Sequence, residues 1–264
     1  MMRELVTIKL DAKNLNKEMT VRILLPEAYH NPNKFFPVLY MHDGQNLFED
    51  DKATYGYSWQ IKTTLDHMVS KRMIKDMIIV GIDSDQERLD LYSPWNNDPK
   101  HKDKLTKTCG GKGDLYVDWL VWELKPWIDQ NYRTIKDKKN TTIAGSSMGS
   151  YISLYTICKY PDIFGNAGLF STSLWFNENT MIDYLRSSLI SPSHKFFVSV
   201  GTMEANLDPN HSSNVAYIKG SKKIISILSD LGIRNTQLLI TNEKHHELAW
   251  SHQFVDFLKF LNDR

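Results

Sequence analysis

The amino-acid sequence predicts an α/β protein with an eight-stranded, mostly parallel sheet flanked by helices, and three observations carry that expectation. Eight short apolar runs rich in β-branched residues recur along the chain. Between the later ones lie segments of helical periodicity, the alternation that places parallel strands in one sheet with helices across both faces. The runs MIIVGI and FFVSV are apolar without interruption, as expected of central strands buried on both sides.

Taken in order, LVTIKL and MTVRILL follow one another with no helix between them, so the sheet is expected to begin antiparallel. FPVLYM and MIIVGI enclose a helical pattern over residues 59–69. Residues 92–114 then break the rhythm: the stretch YSPWNNDPKHKDKLTKTCGGKGD is rich in Pro, Gly, Lys and Asn and has no apolar period. A loop of this length in a compact domain is functional or disordered, and it is expected near the active site. Beyond it, helices over 114–131, 148–160, 182–189, 217–231 and 247–261 alternate with TTIAG, NAGLF, FFVSV and TQLLIT. No internal repeat or low-complexity linker divides the 264 residues, so a single domain over 1–264 is expected.

Charge and composition narrow the partners. The 32 basic and 31 acidic side chains nearly cancel, which gives no electrostatic footprint for nucleic acid. No apolar run approaches a membrane span, and the first residues lack a signal-peptide core, so no membrane partner and a cytoplasmic location are expected. Cys109 and Cys158 are the two cysteines; far apart and in no metal-type spacing, they are expected as free thiols. The oligomeric state is not written in the sequence.

The chemistry gathers around Gly145-Ser146-Ser147-Met148-Gly149. Only Ser147 stands at the centre of G-x-S-x-G, because Ala144 and Met148 break the same frame around Ser146. In this motif a sharp strand-to-helix turn holds the central serine in a strained conformation, and glycine two positions to either side removes the collision. The strand TTIAG before it and the helical pattern after it supply that context.

A serine hydroxyl needs a base to take its proton. Of nine histidines, His245 and His246 follow the last strand and precede the last helix, the place for the base after the nucleophile in chain order. The alternative for the pair is to cap that helix. A carboxylate to orient the base is expected after FFVSV, where GTMEANLDPN offers Glu204 and Asp208; Glu204 is nearer the strand end and is chosen. The oxyanion of a tetrahedral intermediate requires preorganised N–H groups. Met148 supplies one at a helix N-terminus, and Gln45 is expected to supply the other from YMHDGQNLFED, with Gly44 allowing the turn. Asp43 and Gly44 are also placed at the substrate, as are three aromatics: Trp95 in the long loop, and Trp175 and Phe176 after NAGLF. For each aromatic, ordinary core packing is the competing reading. HHE on successive residues does not make a zinc site, and no metal or organic cofactor is implied.

Seven segments together resemble the "putative esterase" family of α/β-hydrolases, the group that includes esterase D, S-formylglutathione hydrolases, feruloyl esterases and enterochelin-type esterases. They are HDGQNLF, YSPW, LKPWIDQNYRT, AGSSMGS, YPDIFGNAGLFSTSLWF, VGTME and HHELAW, spread over nearly the whole chain. The resemblance implies the α/β-hydrolase fold and a triad of Ser147, Glu204 and His245, since the family's histidine stands five residues before the tryptophan, here Trp250. The expected activity is that of a serine carboxylesterase hydrolysing a small-molecule ester, short-acyl or sugar-linked, through an acyl-enzyme. The alternatives are a siderophore trilactone esterase using Lys100, Lys102, Lys104 or Lys107, an acyltransferase of the same fold, and an inactive interaction module.

Overall fold

The computed structural model describes residues 3–101, 107–205 and 207–263; Lys102 and Lys104 lie outside them. All eight apolar runs become strands: β1 (Leu5–Ala12), β2 (Lys17–Leu24), β3 (Val38–His42), β4 (Ile78–Ile82), β5 (Thr141–Ser146), β6 (Asn166–Phe170), β7 (Lys195–Met203) and β8 (Thr236–Lys244). They form one sheet in the order β1-β2-β4-β3-β5-β6-β7-β8. β1 and β2 are antiparallel, β2 meets β4 antiparallel, and every pair from β4 onward is parallel.

Side-chain alternation sorts the core into two layers. In β3, Val38 and Tyr40 join one cluster while Leu39 and Met41 join the other; in β7, Phe196 and Val198 part from Phe197 in the same way. A strand covered on both faces has no polar side to show, which is why these runs read as unbroken apolar sequence. FFVSV is nevertheless not central: β7 is next to the edge strand β8, and helices cover both of its faces.

The helices are α1 (Ile61–Ser70), α2 (Arg88–Leu91), α3 (Gly113–Trp119), α4 (Lys125–Asn131), α5 (Met148–Lys159), α6 (Glu178–Ser187), α7 (Ser212–Asp230) and α8 (Glu247–Asn262). α1 and α8 cover one face, and α3 to α7 the other. The helix expected over 114–131 is α3 and α4 joined by a π turn at Leu120–Leu124. Pro126 follows directly and has no N–H for the carbonyl four residues back, so a widened turn just before it avoids that mismatch. α6 and α7 begin four and five residues earlier than apolar periodicity indicates, because their first turns, Glu178-Asn179-Thr180 and Ser212-Ser213-Asn214, are polar.

The described part of residues 92–114 begins beside the end of β3, where the Tyr92 hydroxyl accepts from the Asp43 N–H. Trp95 packs edge-on against Tyr155 of α5 and Tyr184 of α6, and the Asp98 N–H donates to the Phe176 carbonyl. Among the described residues, no helix is long and apolar enough to cross a membrane, and Cys109 and Cys158 are unpaired.

Candidate active site

Because β3 and β5 to β8 run in one direction, the segments leaving them emerge along one edge: Asp43 after β3, Ser147 after β5, Ser171 to Ser173 after β6, Glu204 after β7 and His245 after β8. This is the edge where open parallel sheets bind ligands. Three of these residues carry positive φ without being glycine: Asp43 (57°), Ser147 (57°) and Ser171 (48°). Such conformations cost of order 1–3 kcal/mol each and persist where the surroundings over-determine them.

Ser147, at ψ −120°, is the residue between β5 and α5. Gly145 and Gly149 make that turn possible by approaching each other: a Cβ on Gly145 would lie 2.7 Å from the Gly149 carbonyl carbon, and one on Gly149 would lie 3.2 Å from both the Asp43 carboxylate and the His42 Cβ. The Ser147 hydroxyl hydrogen-bonds to Ser173 Oγ at 3.0 Å, and the Ser147 N–H donates to the Phe170 carbonyl.

The His245 Nδ1 is 2.5 Å from Glu204 Oε2, which leaves Nε2 as the ring nitrogen turned away from that carboxylate. The buried Glu204 is held from its other oxygen as well: Oε1 accepts from Ser171 Oγ at 2.6 Å and from the Gly201 N–H at 2.5 Å. Ser171 in turn accepts from the Trp250 indole at 2.9 Å. Trp250 stands edge-on to the His245 ring at 4.9 Å, and Tyr217 packs against it at 5.3 Å. The imidazole is therefore fixed by a carboxylate and by two aromatic rings. His246 is placed differently. It caps α8, its Nδ1 accepting from the Leu248 N–H, and its ring packs on Tyr57. Asp208 sits in the next turn, its carboxylate accepting from the Asn210 N–H, and it is Glu204 that touches the base.

On the opposite wall, Asp43 leads into the 3-10 turn Gly44–Asn46. The amides of Gly44 and Gln45 precede the first bonded amide of that turn, Asn46 N–H to Asp43 carbonyl, just as the Met148 amide precedes the first bond of α5, Tyr151 N–H to Ser147 carbonyl. The strained φ falls on Asp43 rather than Gly44. Glycine is needed at 44 for close approach: a Cβ there would lie 2.7 Å from both Asp83 Oδ1 and the Gly81 carbonyl carbon. The Asp43 carboxylate is bound by Arg88 at 2.7 and 2.9 Å and by Ser84 Oγ at 2.6 Å. Burial alone raises such a carboxyl, but the Arg88 charge and these hydrogen bonds outweigh it and hold Asp43 below its ordinary value. The Asp43 carboxylate is thus held by Arg88 and Ser84 at a position that lines the cleft.

An open cleft of about 610 Å³ is lined by Ser147 and His245 together with Asp43, Gln45 and Arg88. The cleft's described lining contains no lysine. Phe176, expected at the substrate, is fully buried against Tyr151 instead, and Trp95 stacks on Tyr155 and Tyr184 away from the cleft. Trp175 donates its indole N–H to Tyr217, one ring removed from His245. Sequence reasoning missed Ser171, Ser173, Tyr217 and Arg88. The serines lie within STSLWF, three hydroxyls after a strand with no spacing motif, and Arg88 and Tyr217 reach the site only through tertiary packing.

The sequence profile of the family described as "Putative esterase" matches residues 12–261. The chain belongs to this esterase family. The esterase is 28% identical over 242 residues to the uncharacterized protein YbbA of Bacillus subtilis (strain 168), covering 90% of each chain. It is 24% identical to an endo-1,4-beta-xylanase/feruloyl esterase of Xylanibacter ruminicola, covering 90% of the esterase and 28% of that protein. Among solved structures, a ferulic acid esterase superposes with a TM-score of 0.75 at 20% identity over 99% of both chains. The enterobactin esterase FES of Shigella flexneri does so with a TM-score of 0.75 at 15% identity over 98% of this chain and 58% of its own. At these identities the superpositions establish a shared α/β-hydrolase fold.

Proposed function

We propose that this esterase is a serine carboxylesterase in which Ser147 is the nucleophile, His245 the general base and acid, and Glu204 the group that orients the base. The observation that carries the reading is the convergence on one cleft of a serine at φ 57° with an imidazole whose Nδ1 is bound to a buried carboxylate. In the structure the Ser147 hydroxyl is bonded to Ser173 Oγ, and the proposed attack requires it to turn to His245 Nε2 when substrate arrives. Nε2 takes the hydroxyl proton as Oγ attacks the ester carbonyl, and Glu204 stabilises the imidazolium. The Gln45 and Met148 amides receive the oxyanion. As the intermediate collapses, the imidazolium protonates the leaving alcohol, and His245 then deprotonates the water that releases the acid from Ser147.

The lining around this centre is largely polar, with Gln45, Asn46, Thr54, Ser84 and Gln86 offering both donors and acceptors. That supports an ester whose alcohol carries hydroxyl groups, as in a sugar-linked acyl group, and the neighbours named for ferulic acid and enterobactin set the range to search. A cytoplasmic location fits the unpaired Cys109 and Cys158. The test is a turnover screen of purified protein on acetyl, butyryl, feruloyl and trilactone esters. The expected outcome is hydrolysis of at least one of the first three with a burst of alcohol equal to one acyl group per chain, abolished in Ser147→Ala. Steady hydrolysis by Ser147→Ala at the wild-type rate overturns the proposal.

A further inference from the structure

Asp43 ties the two walls of the oxyanion site together. Its backbone is the strained residue that launches the Gly44–Asn46 turn, its N–H donates to the Tyr92 hydroxyl at 3.1 Å, and its Oδ2 packs against the first turn of α5 at Gly149. The conformation at φ 57° is unfavourable for a non-glycine residue, so something must over-determine it. Arg88 does so from its guanidinium, with Nε on Oδ1 at 2.7 Å and Nη2 on Oδ2 at 2.9 Å, and it lies over the Tyr92 ring at 5.1 Å. Ser84 completes the frame: its hydroxyl donates to Asp43 and accepts from Gln45 Nε2 at 2.9 Å, while its N–H donates to Gln45 Oε1 at 3.0 Å. Both the residue before the turn and the residue within it are therefore clamped from the α2 side.

We infer that Arg88 and Tyr92 are positioning residues for the oxyanion hole, holding Asp43 so that the Gln45 amide and the Met148 amide keep a fixed separation. The inference rests on the proposed serine-esterase reading. Donors aimed at the developing oxyanion act in the transition state far more than in substrate binding, so a loosened clamp lowers kcat and leaves KM nearly unchanged. The planar fork of arginine matches the carboxylate in a way that lysine does not.

The experiment compares wild type with Arg88→Met, Arg88→Lys and Tyr92→Phe on p-nitrophenyl butyrate, with active sites titrated by a fluorophosphonate so that kcat is expressed per reactive Ser147. The second readout is inhibition by butaneboronic acid, whose adduct with Ser147 is tetrahedral and anionic. Arg88→Met is expected to lose about 100-fold in kcat per titrated site, in the range seen for one lost oxyanion donor, with KM within about threefold and the boronate inhibition constant weakened in step with kcat. Arg88→Lys should recover part of the loss, and Tyr92→Phe, which removes one hydroxyl, should lose about tenfold. If kcat per titrated site and boronate inhibition match wild type in both Arg88→Met and Tyr92→Phe, the clamp is merely structural and the inference is overturned. Failure of the fluorophosphonate to label Ser147 in wild type instead overturns the esterase reading itself, so the two failures are told apart.

Discussion

His245 and His246 are neighbours in the chain with opposite surroundings: one ring nitrogen of His245 is bound to a buried carboxylate, whereas His246 spends its Nδ1 on a helix amide. His245→Ala is accordingly expected to lower kcat by about 10⁴-fold or more, whereas His246→Ala costs only a helix cap, about 1 kcal/mol of stability, with kcat little changed. Steady-state kinetics and thermal melts on the two variants check the pair. A third histidine contributes to the loss of stability in acid. His42 is fully buried, with Nδ1 2.8 Å from the Tyr116 hydroxyl, and burial pushes it down from 6.5 to about 3, with Arg88 adding to the effect and Asp43 opposing it. Below its ordinary value the unfolded chain takes up a proton that the folded protein refuses, so stability falls as the pH drops from about 6.5 toward about 3, by about 5 kcal/mol in all. His42→Asn keeps a partner for Tyr116 and cannot titrate; its urea unfolding free energy should fall less steeply over that pH range. An equal slope would show that His42 is not responsible.

At the scale of elements, two glycines make opposite demands. Gly149 packs on the Asp43 carboxylate and the His42 side chain at the start of α5, and Gly168 in β6 lies where a Cβ would come 2.7 Å from Phe257 Cζ and 3.0 Å from the Ala144 Cβ. Gly168→Ala is expected to destabilise the sheet–α8 contact by about 1–3 kcal/mol, as overpacking does, with kcat unchanged. Gly149→Ala displaces the elbow against Asp43 and is expected to lower kcat by about 100-fold, the scale of a 1 Å misplacement. Melting temperature and kcat measured on both variants separate the two effects. The strands were legible because short apolar, β-branched runs report burial directly; even the antiparallel start followed from the missing helix between β1 and β2. Helix starts were not, since the first turns of α6 and α7 are polar and carry no apolar period. Nor did local sequence reveal that the π turn before Pro126 widens what reads as one continuous helix.

For the whole molecule, the sheet direction does the assembling: five strand ends deliver Asp43, Ser147, the Ser171 to Ser173 hydroxyls, Glu204 and His245 to one edge from positions spread over two hundred residues of chain. The positions of Ser147, Glu204 and His245 were readable because each follows a strand in a fixed chain order. The residues that steady them were not: Arg88 and Tyr217 meet the site only through packing between elements distant in sequence, and Ser171 stands among three hydroxyls that follow β6 with no spacing motif. The aromatic lining was misread for a related reason. Trp95 and Phe176 lie near the site in sequence order, but a large apolar ring is drawn to the core, and α5 and α6 present that core within reach of both. The central claim is that the hydroxyl at the β5–α5 turn is the activated one. Exposing the native protein to a fluorophosphonate and mapping the adduct by mass spectrometry tests it most directly: the account predicts one adduct per chain, on Ser147, formed far more slowly in His245→Ala and absent in Ser147→Ala, whereas an adduct that persists in Ser147→Ala or sits on another residue contradicts it.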